Sequence, residues 1–101
     1  MIESNFSRYK DNNDTDKYVI NIFYLEKCKP MKKYKEILKK IKLDNVYLYS
    51  LDKNPIFIDM FGIKGSPSTL IYKRNKMINQ FMGVPKDILL EELKENIEKE
   101  G

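Results

Sequence analysis

The most constraining feature of this sequence is a nearly unbroken apolar run, followed by a helical pattern and then a second apolar run. The first run covers Tyr18–Tyr24 and is rich in β-branched and aromatic residues, which is typical of a strand buried on both faces. From Pro30 to Ile41 the apolar positions recur at helical spacing, and residues 46–51 repeat the strand pattern. A strand, a helix and a strand joined by short links predict a βαβ unit with parallel strands.

The rest of the pattern predicts how this unit is extended. A short helix over residues 54–61 ends at Gly62, and two strands over residues 69–72 and 77–81 form an antiparallel hairpin. A final helix follows the hairpin, and its expected inner face consists of Ile88, Leu89, Leu93 and Ile97. The predicted fold class is α/β, with a mixed central sheet of about four strands and helices on both faces.

The first 17 residues are polar, and they are expected to lie outside this core. Their centre, residues 11–16, reads Asp-Asn-Asn-Asp-Thr-Asp and predicts a loop, after a short helical or extended piece over residues 6–9. The expected organisation is therefore a polar N-terminal segment, residues 1–17, and one domain, residues 18–101. A chain of 101 residues has room for one small domain.

The composition excludes several kinds of chemistry. The chain has no histidine, which excludes a Ser-His-Asp triad, a Cys-His pair and a histidine-ligated zinc site. Its single cysteine, Cys28, excludes an internal disulfide framework and any CxxC metal site, so we expect no metal and no other cofactor. No apolar run approaches membrane length, and the N-terminus lacks the pattern of a signal peptide. We therefore expect a soluble cytoplasmic protein.

Cys28 is the residue best placed for chemistry. It follows the first predicted strand and precedes the first long helix, where ligands and reactive groups gather in α/β folds. The positive end of the helix dipole and the flanking lysines, Lys27 and Lys29, favour the thiolate form there. A buried, inert cysteine is the alternative interpretation, although two neighbouring lysines argue against burial.

Four segments of the chain resemble one known family. Residues 23–32, Phe-Tyr-Leu-Glu-Lys-Cys-Lys-Pro-Met-Lys, resemble the thioredoxin active-site segment, in which a strand ends in an aromatic pair before W-C-G-P-C-K. Residues 52–55 resemble the D-x-N-P that begins that family's next helix, and residues 61–69 resemble its Y-G-I-R-G-I-P-T segment. The hairpin that ends at Gly83 matches the family's last two strands. The resemblance covers about residues 18–99 and implies a thioredoxin-like fold with a reduced N-terminal part.

The chain departs from that family at the residues that complete dithiol turnover. The family's second cysteine is replaced by Met31, so the motif is degenerate, Cys-Lys-Pro-Met. The family's buried aspartate falls on Ile22, and the lysine partner of that aspartate falls on Leu48. These two residues assist proton transfer to the second cysteine in the family, so their joint loss is coherent. Met31 cannot attack a mixed disulfide as a second thiol does, and we do not expect dithiol thioredoxin activity.

The resemblance also implies which residues form the site. The family's nucleophilic first cysteine matches Cys28, its cis-proline matches Pro67, and the backbone of the preceding residue, here Ser66, pairs with an extended substrate segment. X-Pro bonds are cis in only about 5–6% of cases, so the cis prediction for Ser66-Pro67 rests on the resemblance. The expected substrate-binding residues are Lys29, Pro30, Met31, Ser66 and Pro67.

These observations leave three hypotheses open. The first is a monothiol oxidoreductase or redox protein: Cys28 forms a mixed disulfide with a protein disulfide, and an outside thiol, such as a low-molecular-weight thiol, resolves it. The second is a non-catalytic thioredoxin-fold module whose groove, formed by Cys28, Pro30, Met31, Ser66 and Pro67, binds an extended protein segment. The third is an interaction protein that acts through a lysine-rich helix face, with the cysteine incidental.

The lysine-rich face extends over residues 27–42, where eight lysines accompany one acidic residue, Glu36. Such a face can bind an acidic protein, an anionic lipid surface or RNA, or it can simply be solvated. No interleaved aromatic residues or glycine-rich phosphate loop support nucleic-acid or nucleotide binding, and the net charge of +4 does not require a nucleic-acid partner. We expect a monomer, with a dimer linked through Cys28 as the alternative.

Overall fold

The computed structural model describes residues 1–100, which form five strands and four helices. The strands are β1 (Ile2–Ser4), β2 (Tyr18–Tyr24), β3 (Val46–Ser50), β4 (Ser68–Lys73) and β5 (Lys76–Met82). The helices are α1 (Phe6–Asn13), α2 (Pro30–Ile41), α3 (Ile56–Phe61) and α4 (Asp87–Glu100). From residue 18 onward the element order is the one predicted from the sequence.

The strands form one mixed sheet in the order β1-β3-β2-β4-β5. The first three strands of that order are parallel, and β4 and β5 run antiparallel to their neighbours. The β4–β5 turn contains Arg74 and Asn75, both at positive φ, a backbone conformation that two-residue hairpin turns require. The predicted βαβ unit and hairpin are confirmed, with β5 beginning at Lys76 rather than after it.

Apolar side chains cover both faces of the sheet, as predicted. On one face, Ile20 and Ile22 of β2 pack in a cluster with the inner side of α2 and with Leu90 of α4. On the other face, Phe23 of β2 packs in an aromatic cluster with Phe57 of α3. Alternate residues of β2 thus enter opposite cores, which explains why this strand is apolar along its whole length.

The N-terminal residues contribute more to the fold than the sequence predicted. β1 pairs in parallel with β3, which makes five strands instead of about four, and α1 continues through Asn13, inside the stretch expected to be a loop. The amides of Asn13 and Asn21 exchange hydrogen bonds of 3.2 and 2.7 Å, and both residues are buried. Phe6 also packs edge-on against Phe57, at 5.5 Å between ring centroids. A buried pair of amides, together with this aromatic contact, therefore attaches α1 to the rest of the fold.

The inner face of α4 also differs from the prediction. Ile88 and Leu89 are exposed, whereas Leu90 is 1% exposed and packs in the core. Leu93 and Ile97 pack against the same core, as expected. Because Leu90, Leu93 and Ile97 follow the i, i+3, i+7 spacing of one helix face, the buried stripe begins two residues later than predicted.

Candidate functional site

The thiol of Cys28 lies in the short loop between β2 and α2, as the sequence predicted. The backbone N–H of Cys28 donates to the carbonyl of Leu25 (2.9 Å), and its own carbonyl accepts from the N–H of Met31 (3.2 Å). These two bonds turn the chain from the strand into the helix. Cys28 is half-buried, while the lysines on either side of it are exposed, so the thiol is neither enclosed nor fully solvated.

A second loop, the one that precedes β4, lies against the thiol. The Sγ of Cys28 donates to the carbonyl oxygen of Ser66 at 3.3 Å, and the backbone N–H of Leu25 donates to the Oγ of Ser66 at 2.9 Å. The Ser66-Pro67 peptide bond is cis in the structure. The carbonyl of Pro67 accepts from the N–H of Gly83 at 2.7 Å, which ties the start of β4 to the end of β5. Two loops far apart in sequence therefore meet at Cys28.

The remaining predicted site residues divide by exposure. Lys29 and Pro30 are exposed beside the thiol, and Ser66 is half-buried. Pro67 is buried, and Met31 is only 4% exposed, because its side chain turns into the core between α2 and the sheet. The accessible surface around the thiol therefore comes from Lys29, Pro30 and Ser66.

The three positions that depart from the family motif belong to one apolar cluster. Met31, Ile22 and Leu48 are all at most 4% exposed and pack in the same core, against which Cys28 also packs. Ile22 and Leu48 lie directly opposite each other in the parallel register of β2 and β3. No ionisable side chain occupies these three positions behind the thiol, so no side chain there can exchange a proton with Cys28.

Sequence reasoning missed a polar network beside the thiol loop. The backbone N–H of Glu26 donates to the Oδ2 of Asp52 (2.7 Å), and the carboxylate of Glu26 accepts from the Oγ of Ser50 (3.1 Å). The Nζ of Lys53 lies 3.7 Å from the same carboxylate. A pattern in the sequence could have indicated this network, because polar residues follow the carboxyl ends of two neighbouring parallel strands. This network fixes the loop after β2 to the loop after β3.

Behind the site, a buried hydrogen bond joins α2 to β4. The hydroxyl groups of Tyr34 and Thr69 are 2.8 Å apart, and both residues are fully buried. Burial raises the pKa of Tyr34 to about 12, so the hydroxyl keeps its proton at a pH above about 10, where a solvent-exposed tyrosine loses it. The bond links the helix that begins beside Cys28 to the strand that follows Ser66.

A cavity of about 220 Å³ lies next to the second loop. It opens between the α3–β4 connection and β5, and its lining includes Phe61, Lys64, Phe81 and Met82. Met82 also packs so closely on Gly65 that a Cβ at that position would lie 2.6 Å from the Met82 sulfur. This cavity was not predicted from the sequence, because its walls come from three separate segments.

Other kinds of site are not seen in the described part of the chain. Residues 1–99 contain no group of three or more His, Cys, Asp or Glu side chains arranged to hold a metal ion. None of their helices is both long enough and apolar enough to cross a membrane.

Comparisons with known proteins find similarity in sequence and in structure. No family model matches the chain. A thioredoxin from Chlorobaculum thiosulfatiphilum is 27% identical over an alignment of 90 residues that covers 83% of each chain. A mutant thioredoxin from Halobacterium salinarum superposes with a TM-score of 0.82 at 16% identity, over 96% of this chain and 88% of that one. The Malassezia sympodialis thioredoxin Mala s 13 gives 0.78 at 22% identity, over 95% and 88%.

Proposed function

Because this chain is thioredoxin-like in fold and in sequence, we propose that it is a monothiol thiol–disulfide exchange protein that acts through Cys28. The observation that supports this most directly is the position of its only thiol. Cys28 is half-buried at the start of α2, with its sulfur 3.3 Å from the Ser66 carbonyl in the neighbouring loop. That arrangement leaves Cys28 partly accessible to an incoming disulfide and places the backbone of Ser66 beside its sulfur.

The proposed reaction has two exchange steps. In the first, the thiol of Cys28 loses its proton to solvent, and the thiolate attacks one sulfur of a substrate disulfide. A new disulfide forms between Cys28 and that sulfur, while the other substrate sulfur leaves with the bonding electron pair and takes up a proton. In the second step, an outside thiol attacks the substrate sulfur of the mixed disulfide and releases Cys28 as a thiol. The substrate remains joined to the outside thiol, so electrons and protons balance without a cofactor.

The outside thiol is required because Met31 stands where a second thiol would act. A thioether has no proton to lose and cannot displace a disulfide sulfur. The proposed partners are therefore protein thiols and disulfides, with a low-molecular-weight thiol completing the cycle. We place the protein in the cytoplasm, where thiols are kept reduced.

The test is a kinetic comparison of the folded and unfolded chain. Reaction with an aromatic disulfide that releases a coloured thiolate gives the second-order rate constant for Cys28. We expect the folded chain to react about tenfold faster than the chain in concentrated urea, because the fold holds the sulfur open at the positive end of a helix. The Cys28→Ser variant should release no coloured thiolate. In the wild-type chain, added glutathione should reduce the mixed disulfide and restore the free thiol of Cys28. A folded chain that reacts no faster than the unfolded one would overturn the proposal.

A non-catalytic binding module is the second candidate, and the cavity between the α3–β4 connection and β5 favours it. The groove expected from the sequence included Met31 and Pro67, whose burial leaves Lys29, Pro30, Ser66 and the cavity of about 220 Å³ as the available surface. On this hypothesis, Cys28→Ser should leave capture of an extended peptide unchanged. Loss of capture in that variant would instead favour exchange.

A further inference from the structure

The positive charge of this chain is concentrated next to its thiol. Residues 27–42 contain eight lysines and one glutamate, a net charge of +7, whereas the whole chain has a net charge of +4. The other 85 residues, with 11 basic and 14 acidic side chains, therefore carry −3. The excess is thus a local property of α2 and the loop that contains Cys28.

The lysines form a stripe that begins at the thiol and follows the outer side of α2. We define the basic stripe as Lys29, Lys32, Lys33, Lys39 and Lys40, all of which are exposed. Their spacing of three, four and seven residues places them on one helix face, with Glu36 as the only acidic member of that face. A helix of 12 residues is about 18 Å long, so the stripe extends well beyond the reach of a small molecule bound at Cys28.

The charges of the stripe are not compensated within the described part of the chain. One lysine of the 27–42 segment, Lys35, lies 3.9 Å from the carboxylate of Glu3, and it lies beside the stripe rather than in it. No carboxylate among the described side chains, those of residues 1–99, lies within ion-pairing distance of a stripe lysine. The opposite side of α2 is occupied by core residues such as Tyr34 and Leu38, so the stripe faces solvent.

The chemistry of the stripe favours a polypeptide over a membrane or RNA. The exposed residues of α2 are lysines, Glu36 and Pro30, so no large apolar side chain is available to enter a lipid headgroup region. The only aromatic residue of α2, Tyr34, is buried and cannot stack on a base. An acidic segment in extended conformation could contact several lysines at once while presenting its own sulfur to Cys28.

We propose that the disulfide attacked by Cys28 belongs to an acidic polypeptide segment that lies along α2. This inference rests on the proposed exchange function and adds the class of substrate. The stripe raises the local concentration of acidic segments and directs their sulfur toward the thiol at its end. The lysines at the end of α2 farthest from Cys28 provide the clearest test, because only a substrate as long as the helix can contact both Lys39 and Cys28.

The test uses two synthetic peptides that carry the same cysteine as a mixed disulfide with an aromatic thiol. One peptide has several glutamates placed to lie along α2, and the other has glutamine at those positions. Each is reacted with the wild-type chain, with the Lys39→Glu/Lys40→Glu variant and with the Lys10→Glu/Lys17→Glu variant. Lys10 and Lys17 are exposed and lie outside the 27–42 segment. Each variant replaces two lysines with two glutamates, so the two variants change the net charge equally.

We expect the wild-type chain to react about tenfold faster with the acidic peptide than with the glutamine peptide at low salt. The preference should disappear in the Lys39/Lys40 variant and largely persist in the Lys10/Lys17 variant. A small aromatic disulfide should react at similar rates with all three proteins. If both peptides react equally fast, or if both variants lose the preference equally, the inference fails while the exchange function stands.

A different result would identify failure of the exchange function itself. If Cys28 reacts with neither peptide nor the small disulfide faster than an unfolded thiol does, the proposed function is wrong, and the substrate class fails with it. The same variants are also mixed with anionic vesicles and with an RNA hairpin. Binding to either that depends on Lys39 and Lys40, without any peptide preference, would overturn the acidic polypeptide as the partner.

Discussion

Met31 determines what the thiol beside it can do. Its side chain is 4% exposed and packs with Ile22 and Leu48, so the position behind Cys28 is filled by a thioether within an apolar cluster. Met31 and Cys28 flank the first turn of α2 at a spacing of three residues, which places them on the same side of the helix start. A thiol at position 31 would therefore lie close to Cys28.

We expect Met31→Cys to acquire intramolecular dithiol chemistry. The variant should form an internal disulfide on mild oxidation, which a chain with one cysteine cannot do. With a suitable dithiol reductant, it should also reduce a protein disulfide faster than the wild-type chain does. Met31→Ala is the matched control, because it removes the same packing without adding a thiol. Loss of this buried side chain should lower the free energy of unfolding of the control by about 2–5 kcal/mol. If Met31→Cys shows no reductase activity although it folds, the loops around Cys28 do not support exchange.

At the scale of elements, α1 shows how a polar segment becomes part of a core. The helix contributes Asn13, whose Nδ2 donates to the Tyr9 carbonyl (2.8 Å) and which exchanges two hydrogen bonds with Asn21 of β2. Tyr9 packs against rings from four other elements, including Phe57 at 5.2 Å. The aromatic side chain and the amide pair together hold α1 on the sheet.

Asn13→Ala should weaken the attachment of α1. The substitution removes the donor to the Oδ1 of the fully buried Asn21 and leaves its Nδ2 with only the Leu70 carbonyl, at 3.4 Å. An unpaired buried polar group lowers stability by about 1–3 kcal/mol. Urea unfolding measures the loss, and amide hydrogen exchange should accelerate most in α1. Lys10→Ala, an exposed change in the same helix, should alter stability by less than about 0.5 kcal/mol. Equal effects from both variants would show that the amide pair does not anchor the helix.

The elements that the sequence predicted well are those with strong periodicity. β2, α2, β3 and the hairpin follow from apolar spacing and turn residues. The sequence allowed a short helical or extended piece over residues 6–9, but the continuation of α1 through Asn13 was not predicted. Its anchoring amides resemble loop residues when their partner in β2 is unknown. The face of α4 was misplaced because Ile88 and Leu89 are as apolar as Leu90, and only the register of packing on α2 distinguishes them.

The candidate site could be predicted only where a motif marked it. Cys28 was expected from its place between a strand and a helix, and Ser66 from the family resemblance. The structure brings them together through a bond of 3.3 Å. The burial of Met31 and the network around Glu26 depend on side-chain directions and loop contacts. Sequence spacing does not specify either of these, so they required the folded structure.

For the whole molecule, buried tyrosines make stability sensitive to high pH. Burial raises the pKa of Tyr34 and of Tyr49 to about 12, and it raises the pKa of Tyr9 and Tyr24 as well. Unfolded tyrosine titrates near 10. Between about pH 10 and 12 the unfolded chain loses protons that the folded chain keeps, so the stability present below pH 10 decreases as the pH rises through this window.

The expected result is a melting temperature several degrees lower at about pH 11 than at about pH 9, because 1 kcal/mol shifts it by about 4–8 °C in a domain of this size. Circular dichroism measures the melting temperatures. Lysines also titrate near this range, so the informative comparison is with the Tyr34→Phe/Tyr49→Phe variant, in which the decrease should be smaller. An equal decrease in both proteins would assign the pH effect to other groups.

The enclosed thioether behind Cys28 has a consequence for how an oxidised form of this chain is constituted. A dithiol protein can be oxidised by closing a bond within itself, so that its atoms stay the same apart from two hydrogens. Because this chain has one cysteine, it forms a disulfide only with another molecule, part of which stays attached to Cys28. Its disulfide form is thus a set of conjugates that differ in mass, shape and charge. Identifying the attached molecules would show which disulfides have reacted with Cys28.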